Sequence, residues 1–223
     1  MQQTRSGNES TIYSRTLSEK RHRLEIRVQE DSGALRLGVE ADMNEVGILF
    51  RLCAVFYRYG LNILQARIRS PEGQGIQDEF LVQLPEGSLP VPAIRSMIDD
   101  LESMLFGGLS VLEYLSRHQA AVPRTLPGDR EGAVFIEEVE GQLALVVSGR
   151  DRPGLLLALA QAFYLMDIDI VQAEIQTETA GGAVRNQFVV DPEDNRFESQ
   201  EFQRRLLEEL RSLVGHEPHS DVV

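Results

Sequence analysis

The sequence predicts an α+β protein that contains two copies of one unit, each with the order strand, helix, strand, strand, helix, strand. Three observations predict this fold. Short runs alternate between apolar and polar residues, which is typical of half-buried strands, and longer runs repeat apolar residues at helical spacing. A glycine loop precedes such a helical run twice, at Gly47 and at Gly154. The residues that follow these two loops also correspond to each other along the chain.

The first unit is expected over residues 22–118, after a polar stretch, 1–21, that is expected to be a mobile tail. Turn residues separate the alternating runs from the helically spaced ones. In chain order these runs predict strands at 24–28 and 35–41, a helix at 48–59, strands at 63–69 and 76–84, a helix at 94–105, and a last short strand from Leu109 to Leu112.

The second unit is expected over residues 133–214, between a linker at 119–132 and a polar tail at 215–223. Its runs follow the same order as those of the first unit. They predict strands at 134–136 and 143–147, a helix at 155–166, strands at 171–176 and 184–190, and a helix at 202–213. No run predicts a last strand, and the leading strand at 133–139 is a candidate for that place.

The two units align at one constant offset along the chain, which indicates a duplication. The offset that brings Gly47 onto Gly154 also matches Phe56 with Phe163, Tyr57 with Tyr164, Ile63 with Ile170, Gln65 with Gln172, Ala66 with Ala173 and Ile68 with Ile175. Phe80 and Phe188 match only when the second unit is given a slightly longer hairpin turn. Each unit should form an antiparallel sheet with both helices on one face.

Composition limits the classes of function. The 223 residues carry a net charge of −13 at pH 7, and an acidic surface disfavours nucleic-acid phosphates and anionic membranes as partners. No apolar run approaches the ~20 residues of a membrane span, and residues 1–10 lack the apolar region of a secretory signal. The single cysteine, Cys53, fits a reducing compartment. A cytoplasmic protein is expected.

No enzyme signature stands in the sequence. It lacks a phosphate-binding loop, a dinucleotide fingerprint, a nucleophile elbow and a zinc helix. Cys53 lies on the apolar face of a predicted helix and is expected in the core. His216 and His219 have metal-like spacing but stand in a polar tail beside a proline. We therefore expect no catalysis, no cofactor and no metal.

The stretch Asp151-Arg152-Pro153-Gly154 predicts a site for an anion at the start of a helix. Proline suits a first helical position because its φ is already helical. Glycine leaves the backbone open to close approach. The free N–H groups of the first turn can then bind a carboxylate. The alternative is a plain turn from strand to helix, without a ligand.

The runs 146–156, 167–177 and 186–191 resemble an ACT domain, and residues 60–68 match the same family in the first unit. The chain is similar to the ACT repeats of bacterial PII uridylyltransferase and to plant ACT-repeat proteins. The first unit departs from the pattern, because Asn-Glu-Val-Gly at 44–47 stands where the second unit has Asp-Arg-Pro-Gly. The resemblance implies two ferredoxin-like βαββαβ sandwiches.

The resemblance also implies a stand-alone regulatory sensor that binds an amino acid, such as glutamine, at the interface between its ACT domains. It would signal through domain pairing to a protein partner in amino-acid or nitrogen metabolism, as a homodimer. In serine-sensing ACT domains of phosphoglycerate dehydrogenase, asparagines at the positions of Asn44 and Asn62 contact the ligand. The ligand-binding residues implied are Asn44, Val46, Gly47, Ile48, Asn62, Ile63, Asp151, Pro153, Gly154, Leu155, Asp169 and Ile170.

We expect the ligand's ammonium group to be bound by Asn44 and Asn62 in the first unit, and by Asp151 and Asp169 in the second. Three alternatives stay open. Asp151 caps the helix, Asn62 and Asp169 only end turns, or the whole chain is a ligand-free assembly module that uses its sheet edges.

Overall fold

The computed structural model describes residues 11–19, 22–31, 33–71, 75–84, 89–123, 132–178 and 182–214. The chain is an α+β protein, as predicted. In chain order its elements are β1 (Thr11–Glu19), β2 (His22–Asp31), β3 (Ala34–Ala41), α1 (Ile48–Arg58), β4 (Asn62–Arg69), β5 (Ile76–Gln83), α2 (Val91–Phe106), α3 (Val111–Arg117), β6 (Ala133–Val139), β7 (Gln142–Arg150), α4 (Leu155–Leu165), β8 (Ile170–Thr177), β9 (Ala183–Val190), a 3-10 turn (Asn195–Glu198) and α5 (Gln200–Val214).

The strands form one open sheet of nine strands in the order β1-β2-β3-β5-β4-β8-β9-β7-β6, and every neighbouring pair is antiparallel. The first half of the chain contributes β1 to β5 and the second half contributes β6 to β9. The halves join where β4 pairs with β8, with Ala66 opposite Ile175 and Ile68 opposite Ala173. The sheet is therefore continuous across the duplication.

In both halves a leading strand pairs with the strand that precedes the first helix of that half. β2 lies beside β3 in the first half, and β6 lies beside β7 in the second. The order from β2 to β4 thus mirrors the order from β6 to β8. The place of the last strand, which the second half lacks in its sequence, is filled by β6 (Ala133–Val139).

The last strand predicted from Leu109 to Leu112 is wrong, because the structure has helix α3 there. The Ser110 side chain accepts a hydrogen bond from the Glu113 N–H at 3.2 Å. A serine followed three residues later by a glutamate is the spacing of a helix-capping box. Tyr114 and Leu115 are buried at helical spacing after Val111. The capping signal and the helical period outweigh the short apolar run.

Strand β1 lies within the stretch 1–21, for which a tail was expected; residues 1–10 and 20–21 lie outside the described residues. β1 pairs with β2 along its length. Tyr13 packs against the core. Arg15 forms ion pairs with Asp99 and with Glu102 of α2, the latter at 3.2 Å. This strand therefore belongs to the sheet. In the predicted linker 119–132 only residues 119–123 and 132 are described, and the predicted tail 215–223 lies outside the described residues.

The helices cover one face of the sheet and share a core with it. The two halves repeat the same aromatic contact there. The rings of Phe56 and Phe80 lie 4.9 Å apart in an edge contact, and those of Phe163 and Phe188 also lie 4.9 Å apart. Cys53 is buried, which confirms its predicted place in the core. Among the described helices, none has both the length and the apolar character that a membrane crossing requires.

Candidate functional site

Helices α1 and α4 both begin at a glycine in the left-handed region, with φ of 95° at Gly47 and 79° at Gly154. Glycine adopts this conformation without the cost that a Cβ would add. No side chain of the described residues caps either helix. The Ile48 N–H donates to the Glu45 carbonyl and the Leu155 N–H to the Arg152 carbonyl, so the later N–H groups of both first turns are the ones that keep donor capacity for an anion. The Asp151 carboxyl group accepts hydrogen bonds from the Asn62 amide and from the backbone N–H of Arg152, which lies before α4.

Each glycine lies against a tyrosine from the other half. A Cβ built on Gly47 would lie 2.5 Å from Cδ2 of Tyr164, and one on Gly154 would lie 2.9 Å from Cε2 of Tyr57. The two tyrosines correspond to each other at the same offset along the chain as the two glycines. The tyrosine contacts are thus mirrored between the halves, whereas Gly154 also lies against Pro123, which is its nearest neighbour. They arise because α1 and α4 pack against each other at the junction.

Two small cavities open at this junction, and we name each by its most buried polar residue. The Asp78 site is lined by Asn44, Glu45, Gly47, Ile48, Leu49, Phe50, Ile68, Ser70, Ile76, Asp78, Ala160, Phe163, Tyr164, Ile168, Asp169 and Ile170. The Asn186 site is lined by Cys53, Tyr57, Leu61, Asn62, Ile63, Asp151, Arg152, Gly154, Leu155, Leu156, Leu157, Ile175, Thr177, Val184 and Asn186. They enclose about 30 Å³ and about 40 Å³, which is room for a few waters.

The structure pairs the predicted amides and carboxylates across the halves, not within them. Asn44 donates a hydrogen bond to Asp169 with a donor–acceptor distance of 3.4 Å. Asn62 donates one to Asp151 at 3.3 Å. Asn44 and Asn62, which were expected together, line different cavities, and so do Asp151 and Asp169; their role toward a ligand's ammonium group stays a prediction. β4 and β8 run antiparallel at the junction, so the start of each strand lies beside the glycine loop of the other half.

Most of the predicted ligand-binding residues line these cavities. Asn44, Gly47, Ile48, Asp169 and Ile170 line the Asp78 site. Asn62, Ile63, Asp151, Gly154 and Leu155 line the Asn186 site. Val46 and Pro153 belong to the same loops but line neither cavity. The predicted first helical position of Pro153 is wrong, because the left-handed Gly154 caps α4 and the helix begins at Leu155.

Asp78 and Asn186 are site residues that the sequence reasoning missed. Each has 2% of its surface exposed. Asp78 Oδ1 accepts the backbone N–H of Arg69 at 3.3 Å, whereas Asp78 Oδ2 and Asn186 Oδ1 have no hydrogen-bond partner among the described residues. The two residues correspond to each other at the same offset as Phe80 and Phe188. A polar residue on the apolar face of each strand was the signal that could have identified them.

Burial raises the pKa of three carboxyl groups that line the two sites. It raises the pKa of Asp78 to about 7. Burial also raises the pKa of Asp169, and nearby Asp191 adds to that rise while the Asn44 amide opposes it. The pKa of Asp151 is likewise raised by burial and partly lowered by the Asn62 amide. Desolvation thus dominates the electrostatics of both sites.

The two sites differ in charge. Three carboxyl groups line the Asp78 site, from Glu45, Asp78 and Asp169. The Asn186 site has the Asp151 carboxyl and the guanidinium of Arg152. That guanidinium donates a hydrogen bond to the Leu213 carbonyl at 2.7 Å, at the end of α5. The Asp78 site is therefore the more acidic of the two and favours a cationic or donor group.

Comparisons with known proteins include several bifunctional uridylyltransferase/uridylyl-removing enzymes among the sequence relatives of the chain. The chain is 31% identical to the bifunctional uridylyltransferase/uridylyl-removing enzyme of Bordetella pertussis over 180 residues, which cover 74% of this chain and 20% of the relative. The enzyme of the same name from Stutzerimonas stutzeri is 30% identical over 147 residues, or 64% of this chain and 16% of the relative. In Neisseria meningitidis serogroup B the values are 29% identity, 57% of this chain and 16% of the relative.

The chain spans about a fifth of the length of these curated relatives. The predicted similarity to a uridylyltransferase is confirmed at this level, while the ACT assignment stays a prediction. No protein-family model matches the chain. A solved structure, described as an unknown protein from Galdieria sulphuraria, is 21% identical, covers 74% of this chain and 86% of its own, and has a TM-score of 0.24. That score carries no argument about the fold.

Proposed function

We propose that this chain is a regulatory sensor made of two ACT domains, which binds a free amino acid in the mirrored sites between them. One observation carries the proposal. Each cavity combines an uncapped helix start from one half with a strand start bearing an amide or carboxyl group from the other half. The helix N–H groups match the ligand's carboxylate, and the amide and carboxyl oxygens match its ammonium group.

Binding in this proposal changes how the halves meet. Both cavities are too small for an amino acid as they stand, so a ligand has to part the glycine loop from the opposite strand. The Asn–Asp bonds that cross the junction are long, at 3.3 and 3.4 Å, and weak bonds of this kind are replaced at small cost. A ligand ammonium would take the place of the asparagine donor at Asp169 or Asp151. Because the ligand prefers the parted arrangement, it shifts the population toward that arrangement.

The relatives support a role in regulation. Their name gives them a uridylyltransferase and a uridylyl-removing activity, and this chain matches about a fifth of their length. We infer that it corresponds to their C-terminal regulatory portion and not to their catalytic portion. The proposed protein is therefore not an enzyme, acts in nitrogen metabolism through a protein partner, and has glutamine as the first ligand to test. It is proposed to form a homodimer.

The test is calorimetric titration of the chain with each amino acid, first the wild type and then Asp169→Asn. This substitution keeps the shape of the side chain and removes the anionic acceptor for the ammonium group. We expect an amino acid to bind the wild type, and the Asp78 site of Asp169→Asn to bind it at least about tenfold more weakly.

The matched control is Glu174→Gln, which changes an exposed carboxyl elsewhere on the same strand, β8. It should bind like the wild type. If both variants bind equally well, Asp169 does not hold the ammonium group. If no amino acid binds the wild type, the sensor proposal fails and the ligand-free assembly module is the better interpretation.

A further inference from the structure

The two sites exchange amide and carboxyl groups at mirrored positions. At the glycine loop, Asn44 stands in one site where Asp151 stands in the other. At the strand start, Asp169 has Asn62 as its counterpart. The third exchange concerns the most buried group, which is Asp78 in one site and Asn186 in the other. The sites share one backbone plan but offer a ligand different partners.

The exchange of Asp78 for Asn186 concerns the most buried polar residue of each cavity. Asp78 and Asn186 stand on the apolar face of β5 and β9, among the core residues. Each leaves one oxygen without a hydrogen-bond partner among the residues that the structure describes. A buried oxygen of this kind costs free energy until a donor reaches it. Because both residues line the cavities, a bound molecule can supply that donor.

The exposed end of each cavity already has partners for the two charged groups that all amino acids share. The helix start of α1 and the side chain of Asp169 lie at the rim of the Asp78 site. Asp78 is therefore left for the part that differs between amino acids, the side chain. The same division holds in the other site, with α4 and Asp151 at the rim and Asn186 in the interior.

We propose, resting on the proposed function, that Asp78 and Asn186 select the ligand by its side chain, and that the two sites have different selectivity. The Asp78 site takes a side chain that ends in a hydrogen-bond donor, which is a hydroxyl, a carboxamide or an ammonium group. It rejects an acidic side chain, because that side chain would meet the carboxyl groups of Asp78 and Asp169. The Asn186 site takes donor and acceptor side chains, since a carboxamide both donates and accepts.

The test uses pairs of amino acids that have nearly the same shape: asparagine with aspartate, and glutamine with glutamate. Each pair is titrated calorimetrically at pH 8, where the Asp78 carboxyl is ionised, into the chain with Asp151→Asn, which weakens the Asn186 site and isolates the other. The amide member should bind at least about tenfold more tightly than the acidic member, because a site built for a donor strongly rejects an analogue that lacks it. When Asp78→Asn is added, the affinities for the amide and the acidic member of a pair should lie within about threefold of each other.

The mirrored variant provides the matched control and a gain of selectivity. Asn186→Asp, titrated in a chain whose Asp78 site is weakened by Asp169→Asn, should create in the Asn186 site the preference that the Asp78 site has. Far-UV circular dichroism checks that each variant folds. If Asp78→Asn does not fold, Asn186→Asp still tests the selectivity inference.

The outcomes distinguish the selectivity inference from the sensor proposal. If an amino acid binds but neither substitution changes the ratio within the pairs, the selectivity inference is overturned and the sensor proposal stands. If no amino acid binds the wild type, both fall. A changed ratio in both mirrored variants supports the inference.

Discussion

The carboxyl group of Asp78 gives the folded chain a pH dependence that a single substitution can isolate. Burial raises its pKa from 3.8 to about 7 in the folded state. In the unfolded chain the group is solvated and loses its proton near pH 4. Between pH 4 and pH 7 the Asp78 carboxyl group is therefore less protonated in the unfolded state than in the folded state. The stability of the wild type therefore falls, through this group, as pH rises from about 4 to about 7.

The size of the effect follows from the shift. About three pKa units at 1.36 kcal/mol each give a cost on the order of 4 kcal/mol above pH 7. The substitution Asp78→Asn keeps the shape and removes the titration. The difference in unfolding free energy between the variant and the wild type should thus grow by about 4 kcal/mol from pH 4 to pH 8. All other titrating groups are common to both chains and cancel in the difference.

The assay is urea unfolding followed by far-UV circular dichroism at each pH unit from 4 to 8. The control is Glu79→Gln, which changes the exposed neighbour on the other face of the strand and should alter stability by less than about 1 kcal/mol at every pH. The mirrored variant Asn186→Asp should show a new fall in stability with rising pH. A flat difference for Asp78→Asn would mean that this carboxyl group is solvated or paired, and would refute the reasoning.

Two further predictions concern the loops and α3. Gly33 has a φ of +87°, and a Cβ added there would have nothing within 4 Å. Gly33→Ala should therefore lower the unfolding free energy by roughly 1–2 kcal/mol through backbone strain alone. Gly47→Ala adds a contact at 2.5 Å with Tyr164 and should lower the unfolding free energy, measured in urea, by about 1 kcal/mol more than Gly33→Ala does. Tyr164→Ala should remove that excess. Equal losses for the two glycines would mean that the Tyr164 ring moves aside freely. Ser110→Ala should lower stability by about 1 kcal/mol, because the Glu113 N–H loses its cap, whereas Ser110→Asp should retain it; no loss with alanine would show that the cap does not stabilise α3.

Apart from β1, α3 and the 3-10 turn, the order of elements in both halves could be predicted from the sequence, because that order depends on local periods. Alternation identifies strands and their buried face, and helical spacing identifies helices, without any knowledge of neighbours. The constant offset between matching residues, set by Gly47 and Gly154, also allowed one half to be checked against the other. Helix α3 was missed although its capping spacing, Ser110 with Glu113, is local and visible.

The pairing of the halves could not be predicted in the same way. Alternation tells which face of β4 is buried, but not that its free edge pairs with β8. That pairing decides that Asn44 meets Asp169 and that Asn62 meets Asp151. Ten of the twelve residues predicted to bind a ligand therefore line the candidate cavities, while the pairing of their amides and carboxylates across the halves was not foreseen. Position along the chain does not reveal contacts that depend on how two edges meet.

The buried oxygens were accessible to sequence reasoning and were overlooked. Asp78 lies on the buried face of β5, which also carries Ile76 and Phe80. A carboxyl group on such a face needs either a partner or a function, since burial without either is costly. Its mirrored counterpart, Asn186, repeats the feature at the same place in the second half.

Thermal unfolding of the wild-type chain with each of the twenty amino acids, and with nucleotides as controls, tests the central claim most directly. A ligand at a hundred times its dissociation constant adds about 2.7 kcal/mol of stability, which raises the melting temperature by a readily measured amount. The sensor account predicts a rise with one or a few amino acids and no rise with nucleotides. The same melting temperature with all twenty amino acids, at concentrations up to tens of millimolar, would contradict it.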